Sequence, residues 1–247
     1  MTVPEAAMVF AAGLGTRMRP VTDAIPKPLV RVAGRTMLDH MLDRLAEAGI
    51  GRAVVNVHYR ADQIETALAG RSQPHIVVSD ERGELLDQAG GIVKALPALG
   101  PGPFLICNTD ALWLEATPAL RALAAAWDGA RMDVLLLVAS TDGSVGVDWD
   151  GDFTLALDGR LIRRREGRVP FVYAGVGLIK PELFAGLPEA PLKLAPFFFE
   201  AAERGRLRGV PLDGTWLHVG TPEAIGAAEA AFAGSRSARL GAAEPRS

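Results

Sequence analysis

Cysteine is all but missing from this chain: Cys107 stands alone among 247 residues. That excludes an internal disulfide framework and fits a reducing compartment. A basic excess is missing as well. With 26 Lys+Arg against 29 Asp+Glu, the chain lacks the positive face that general nucleic-acid binding needs. No apolar stretch approaches the roughly 18–20 residues of a membrane span. No basic region precedes an apolar one at the N-terminus, so no signal peptide is expected. The dinucleotide-binding fingerprint lacks its third glycine, because the position counted from Gly13 and Gly15 is Met18. No Gly-Lys-Ser/Thr closes a Walker loop, and no Gly-x-Ser-x-Gly elbow presents a nucleophile. No internal repeat of fixed period occurs. A soluble, cytoplasmic protein remains, with 49% hydrophobic residues, ample for a sizeable core.

What is present begins with alternation. Ala6–Ala12 reads as a strand, and Met37–Ala48 as a helix with apolar residues at helical spacing and Gly49 as its stop. Arg52–Val57, Ile76–Ser79, Phe104–Asn108 and Asp133–Val138 read as further strands. Between them Ala61–Leu68, a segment starting at Gly91 after a glycine pair, and Pro118–Trp127 read as helices. Continuous apolar runs joined by helices imply parallel strands covered on both faces. From about Ser140 the segments shorten. Val145–Trp149, Phe153–Leu157, Leu161–Arg164 and Phe171–Ile179 read as antiparallel additions to the same sheet. Helices are expected at Leu194–Arg204 and at Glu223–Phe232, the latter behind an N-cap Thr221 and an N1 Pro222, with strands near Leu207–Pro211 and Trp216–Val219 between them. The expected fold is α/β: a single-domain, doubly wound, Rossmann-like, mostly parallel sheet with antiparallel additions in its second half. Residues 1–232 form that domain, in two halves, 1–139 and 140–232. Residues 233–247, rich in Gly, Ser, Arg, Ala and Pro, read as a flexible tail.

The most informative stretch is Val9 to Pro20 with Pro26-Lys27-Pro28-Leu29. An apolar strand stops at Gly13 and Gly15, which let backbone N–H groups approach a ligand. Arg17 follows, and ten residues later Lys27, its backbone restricted by a proline on either side. A strand feeding a glycine turn and two fixed cations suits a polyphosphate.

These residues resemble the signature of the sugar-1-phosphate nucleotidylyltransferases, which couple a sugar phosphate to a nucleoside triphosphate and release pyrophosphate. The likeness continues through Leu85 to Ile92, Asn108-Thr109-Asp110, Gly151-Asp152-Phe153, Tyr173-Ala174-Gly175, Leu192 to Pro196, and Trp216 to Thr221. Within the family the chain is most similar to the short bacterial N-acetylmuramate-1-phosphate uridylyltransferases of cell-wall recycling. The resemblance makes 1–139 the nucleotide-binding half and 140–232 the sugar-phosphate-binding half, and implies a nucleotide site of Ala11, Ala12, Gly13, Gly15, Thr16, Arg17, Lys27, Gly83, Gln88 and Gly90. It implies sugar-phosphate contacts from Asn108, Asp152, Gly175 and Lys193, and catalytic roles for Arg17, Lys27 and Asp110. The small residues of Gln88 to Gly91 are read as room for a base and its ribose. Asp110 follows an apolar strand at the edge where open α/β sheets bind ligands. Facing a triphosphate, it needs a cation between, and Mg²⁺ suits two sets of hard oxygens. The resemblance makes Asp110 that metal's ligand. Where the family has a second aspartate this chain has His218. Imidazole suits Mn²⁺ better than Mg²⁺; His218 is read either as a metal ligand or as a hydrogen-bond donor to phosphate.

The expected partners are a nucleoside triphosphate and a sugar 1-phosphate, with no nucleic acid or membrane, in a monomer or small homo-oligomer. The alternative within the family is a different sugar or base: glucose 1-phosphate with UTP or dTTP, or a mannose or heptose phosphate with GTP. Two other readings differ in class: a nucleotide-binding regulatory protein in which His218 marks weakened chemistry, and an NAD-binding oxidoreductase, which Met18 disfavours. Arg163-Arg164-Arg165 with Arg168 reads as a solvated edge, Phe197-Phe198-Phe199 as core, Cys107 as inert, and His40, His58 and His75 as structural or surface groups.

Overall fold

In a computed structural model that describes residues 3–242, the expected alternation becomes one large sheet. The strands are β1 (Ala6–Phe10), β2 (Arg31–Val32), β3 (Arg35–Thr36), β4 (Arg52–Val57), β5 (His75–Asp80), β6 (Phe104–Asn108) and β7 (Ala111–Glu115). They continue as β8 (Val134–Ser140), β9 (Phe153–Leu155), β10 (Leu161–Arg163), β11 (Phe171–Ile179), β12 (Leu207–Pro211) and β13 (Gly214–His218). The helices are α1 (Met37–Ala48), α2 (Ala61–Leu68), α3 (Asp87–Leu99), α4 (Ala119–Ala126), α5 (Ala195–Glu203) and α6 (Pro222–Ala242).

Strands β6, β1, β4 and β5 lie side by side and parallel. β11 enters antiparallel to β6, and β8 pairs antiparallel with β11 and parallel with β12. β8 therefore runs in the same direction as β6 but is separated from it by one reversed strand. That reversal is where the antiparallel half begins. β9 and β10 extend it antiparallel from the first residue of β11.

Alternation along β1 explains its unbroken apolar run. Ala7 and Val9 enter one buried layer with Leu38, Leu42 and Leu45 of α1, Ile64 of α2 and Leu123 of α4. Ala6 and Met8 enter the opposite layer with Ile92 of α3 and Phe198 and Ala201 of α5. A third cluster packs Met18, Val30 and Met37 against Leu112 of β7, Leu217 of β13 and Ala228 of α6. This cluster anchors the glycine turn to the C-terminal segment. The helix start of α1 is a side-chain cap: the Thr36 hydroxyl accepts from the Asp39 N–H at 3.0 Å. Gly49 ends it in the left-handed conformation, φ 86°.

Three expectations are corrected, and one strand is added. Val145–Trp149 is not a strand; only Val145 forms an isolated parallel bridge, to Leu217. β7 is an additional strand: the chain re-enters extended structure directly after Asp110 and pairs with β13 in a separate two-stranded sheet. α6 runs on past Phe232, its expected end, to Ala242; residues 243–247 of the expected tail lie outside the described residues. α3 begins at Asp87, four residues before the expected start, so the glycine pair lies inside the helix.

Gly90 and Gly91 are glycine for internal packing reasons. A Cβ on Gly90 would lie 2.0 Å from the Ala190 carbonyl oxygen, and one on Gly91 would lie 2.6 Å from Glu81 Oε1. Elsewhere the expectations for individual side chains hold. Cys107 is buried in β6, His40 and His58 bond backbone carbonyls of Val32 and Glu81, and Arg163 on the edge strand β10 lies 3.5 Å from the Phe199 ring centroid.

Gly90→Ala is expected to destabilise the fold by about 1–3 kcal/mol through overpacking against a backbone carbonyl. For a chain of this size that corresponds to a Tm lower by roughly 2–12 °C. Thermal unfolding by calorimetry reads this directly, and an unchanged Tm would contradict the packing reading.

Candidate active site

The parallel strands β1, β4 and β6 end at the same sheet edge, and a cleft of about 590 Å³ opens there. Open α/β sheets bind ligands in this position, outside the carboxyl ends of the strands. Its walls include Ala11, Ala12, Gly13, Gly15, Thr16, Arg17 and Lys27 from the turn after β1 and Asn108 to Asp110 from the end of β6. Leu85, Asp87 and Gln88 form a further side, and Asn56, Pro191 and Gly220 complete it.

The turn has the conformation its glycines permit. Gly15 is left-handed, φ 64°, and a Cβ there would meet Thr22 Cγ2 at 3.0 Å and Lys27 Cβ at 3.1 Å. Gly13 is different, since nothing of the protein lies within 4 Å of where its Cβ would be. Packing does not demand glycine at position 13; open cleft lies there instead. A short 3₁₀ turn over Thr16–Met18 follows, with Met18 buried and Arg17 exposed. A second 3₁₀ turn over Lys27–Leu29, entered from Pro26, holds Lys27.

Lys27 Nζ donates to Asp110 Oδ2 at 2.7 Å, with side chains 14% and 22% exposed. His218 Nε2 stands 3.6 Å from the same oxygen. The His218 ring stacks on Trp216 at 5.4 Å between centroids, meets Trp149 edge-on at 5.5 Å, and its Nδ1 faces the Gly146 carbonyl at 3.3 Å. Burial alone would push the Asp110 carboxyl up. The nearby His218 and Lys27 together outweigh that and hold it well below the usual carboxylate range. Arg17 makes no ion pair or hydrogen bond among the described residues, so its guanidinium is available to an anion. On the far side of Arg17 and Gly220 a second hollow of about 310 Å³ contains His218, Asp148 and Glu223.

The structure thus brings together Arg17, Lys27, Asp110, Gln88, Asn108 and the turn residues 11–13, 15 and 16. Gln88 Nε2 donates to Asn108 Oδ1 at 2.9 Å, joining two of the expected binding residues directly. Other expected residues are not among those lining the cleft. Gly83 is exposed with open space around it, and Gly90 is buried against Ala190. Asp152 has both carboxylate oxygens engaged, accepting from Trp149 Nε1 at 3.1 Å and from the Tyr173 N–H at 2.9 Å. Gly175 is left-handed, φ 79°, at an irregularity of β11, where a Cβ would meet Ala111 Cβ at 2.5 Å. Lys193 is exposed.

Sequence reasoning missed Asn56, Asp87 and Pro191. Asn56 Oδ1 accepts from the Ala11 N–H at 2.8 Å; a lone asparagine within the apolar run 53–57 was the available signal. Asp87 is left-handed, φ 58°, at the first residue of α3, and composition offers no sign of that.

No group of three or more His, Cys, Asp or Glu suited to a metal ion occurs among the described residues, so there is no protein cage. One carboxylate opening on a phosphate-sized cleft nevertheless fits Mg²⁺, which commonly takes one or two carboxylates and completes its shell with substrate phosphates and water.

Known proteins resemble this chain in sequence and in fold. Residues 7–218 match the model of the MobA-like NTP transferase domain. An N-acetylmuramate alpha-1-phosphate uridylyltransferase of Caulobacter vibrioides is 50% identical over 236 residues, which cover 93% of this chain and 98% of that protein. A protein of the same name from Neisseria meningitidis is 36% identical, covering 87% and 93%. Among solved structures, a UDP-glucose pyrophosphorylase complexed with UDP-glucose superimposes with a TM-score of 0.76 over 94% of this chain and 99% of that one. An inositol-1-phosphate CTP transferase from T. maritima gives 0.72 over 90% and 92%. At 15% and 20% identity these two speak for the fold.

The depressed Asp110 carboxyl sets a pH window for stability. Its ionised form stabilises the folded chain fully above its unfolded pKa, about 3.9, and that contribution is lost as pH falls below it toward the lower folded value. The stability difference between the parent chain and Asp110→Asn is therefore expected to shrink as pH falls from about 4 toward about 2. Urea unfolding across that range measures it, and a difference that grows on acidification would contradict the ion pairing.

Proposed function

The chain belongs to the sugar-1-phosphate nucleotidylyltransferase family, and on that premise we propose that it transfers the uridylyl group of UTP to N-acetylmuramate 1-phosphate. The products are the UDP-sugar and pyrophosphate. A place in cell-wall recycling and a cytoplasmic setting belong to the same reading, as does a single catalytic domain over residues 1–232. The names of the two similar uridylyltransferases support the choice of base and sugar. The observation that carries the chemistry is the Lys27–Asp110 ion pair, 2.7 Å long, in the wall of a cleft that also holds Gly13 and Arg17, which has no ion pair among the described residues.

In this reading a phosphate oxygen of the sugar 1-phosphate attacks the α-phosphorus of UTP, and the bond to the β-phosphate oxygen breaks. The attacking phosphate is already ionised at neutral pH, so neither a protein nucleophile nor a strong general base is needed. The residues of the chain align two polyanions and offset their repulsion. The turn amides and the guanidinium of Arg17 receive the triphosphate, and Lys27 faces the reacting phosphates. Asp110 would hold Mg²⁺, which would supply charge neutralisation as pyrophosphate leaves. Gln88 and Asn108, already bonded to each other, face the nucleotide and the sugar phosphate. His218, stacked on Trp216 beside Asp110, is assigned to the phosphates as a hydrogen-bond donor. Alignment of this kind contributes up to roughly 7–11 kcal/mol.

Lys27→Ala and Asp110→Ala are each expected to lower turnover on the order of 10²–10³-fold, the usual effect of removing one preorganised charge partner, in protein that still folds. Pyrophosphate release measured with UTP, dTTP, CTP and GTP against N-acetylmuramate, glucose and mannose 1-phosphates tests both the roles and the substrates. UTP with N-acetylmuramate 1-phosphate should give the highest kcat/KM. Turnover unchanged in either variant would refute the roles, and a preference for another pair would refute the substrate assignment.

A further inference from the structure

One buried acid takes no part in this chemistry. Glu81, the residue after β5, is 1% exposed, and no lysine or arginine forms an ion pair with it among the described residues. A carboxylate buried without a cation is costly unless its oxygens are well bonded. Those of Glu81 are. Oε1 accepts from Asn56 Nδ2 at 2.8 Å, and Oε2 accepts from the Leu86 N–H at 3.3 Å. Asn56 in turn accepts the Ala11 N–H at 2.8 Å.

These bonds link two walls of the cleft. Ala11 is the first residue beyond β1 and opens the turn that leads to Arg17. Leu86 directly precedes α3, whose first two residues, Asp87 and Gln88, line the opposite side. The surroundings are shaped to admit the carboxylate: a Cβ on Gly91 would lie 2.6 Å from Glu81 Oε1 and 3.0 Å from Asn56 Nδ2. The left-handed backbone of Asp87 lies immediately beyond the Leu86 N–H that Glu81 receives. Such a conformation at a non-glycine residue persists only where its surroundings fix it.

We propose that Glu81 is a positioning residue for the nucleotide, setting through Asn56 and Leu86 the distance between the phosphate-binding turn and the wall that carries Asp87 and Gln88. This rests on the reading of the cleft as a nucleoside triphosphate site. Glu81 does not touch the substrate. Its two acceptor oxygens serve two donors on two walls, which a carboxamide cannot do: Glu81→Gln keeps one acceptor and turns an N–H₂ toward the other donor. Gly91→Ala acts on the same group from the opposite side by displacing the carboxylate.

The test is calorimetric titration of UTP into the parent chain, Glu81→Gln, Gly91→Ala, Asn56→Ala and the Glu81→Gln/Asn56→Ala double variant, with Tm recorded for each. Steady-state KM for each substrate is measured alongside. UTP affinity is expected to weaken about tenfold in Glu81→Gln and Gly91→Ala, the effect of one buried hydrogen bond left unmade. The KM for the sugar phosphate should stay within about twofold. The double variant should bind UTP no worse than the weaker single variant, because both act through one chain of contacts. Unchanged UTP affinity in a folded variant overturns the proposal, and so does a loss that falls equally on both substrates or adds fully in the double variant. If Glu81→Gln does not fold, Gly91→Ala and Asn56→Ala carry the same comparison. A parent chain that binds no UTP overturns the nucleotide reading itself, a result distinct from all of these.

Discussion

Lys27 and Asp110 are 83 residues apart in sequence and 2.7 Å apart in space, and the candidate site depends on that contact. It ties the proline-flanked turn that follows the glycine loop to the end of β6. Because both side chains are mostly buried, the pair is held more firmly than a surface salt bridge, and either charge left alone there would be costly. Before any ligand arrives, the lysine keeps the carboxylate ionised and the carboxylate fixes the lysine. A polyanion entering the cleft meets charges that need little reorganisation, which is the condition under which electrostatic stabilisation is most effective.

The sheet makes that contact possible. Four parallel strands bring the ends of β1, β4 and β6 to one edge, so turns far apart in sequence converge on one cleft. The reversed strand β11 then joins β6 to the second half of the molecule. β13 delivers His218 to Asp110 from that half, and its pairing with β7, which starts one residue after Asp110, fixes the register of the two: His218 stands opposite Ala111. The third hydrophobic cluster, with Met18, Leu112 and Leu217 as members, keeps the glycine turn and this small sheet packed together.

Much of this was legible in the residues. The apolar run of β1, the helical spacing of Met37–Ala48 with Gly49 as its stop, and the glycine turn with Arg17 and Lys27 each carry a local physical signal, and each stands where that signal put it. The misreadings share a cause: the deciding contact lies far away in the chain. Gly90 and Gly91 look like a loop for a ligand, but their missing side chains make room for Ala190 and Glu81. Val145–Trp149 is apolar enough for a strand, yet apart from the single bridge at Val145 it finds no partner to pair with. Glu81 and Asn56 gave no sign in sequence of their shared role, because a polar residue near a strand end is ordinary until its neighbours are known.

The most direct test of the central claim, that Lys27, Arg17 and Asp110 face one anionic substrate, is a crystal structure of the chain with UTP bound. Triphosphate oxygens are expected within hydrogen-bonding distance of Lys27 Nζ, the Arg17 guanidinium and the backbone N–H groups of the Gly13–Gly15 turn, with the uracil ring on the side of Gln88. Density for UTP elsewhere, with the Lys27–Asp110 pair facing only solvent, would contradict the account.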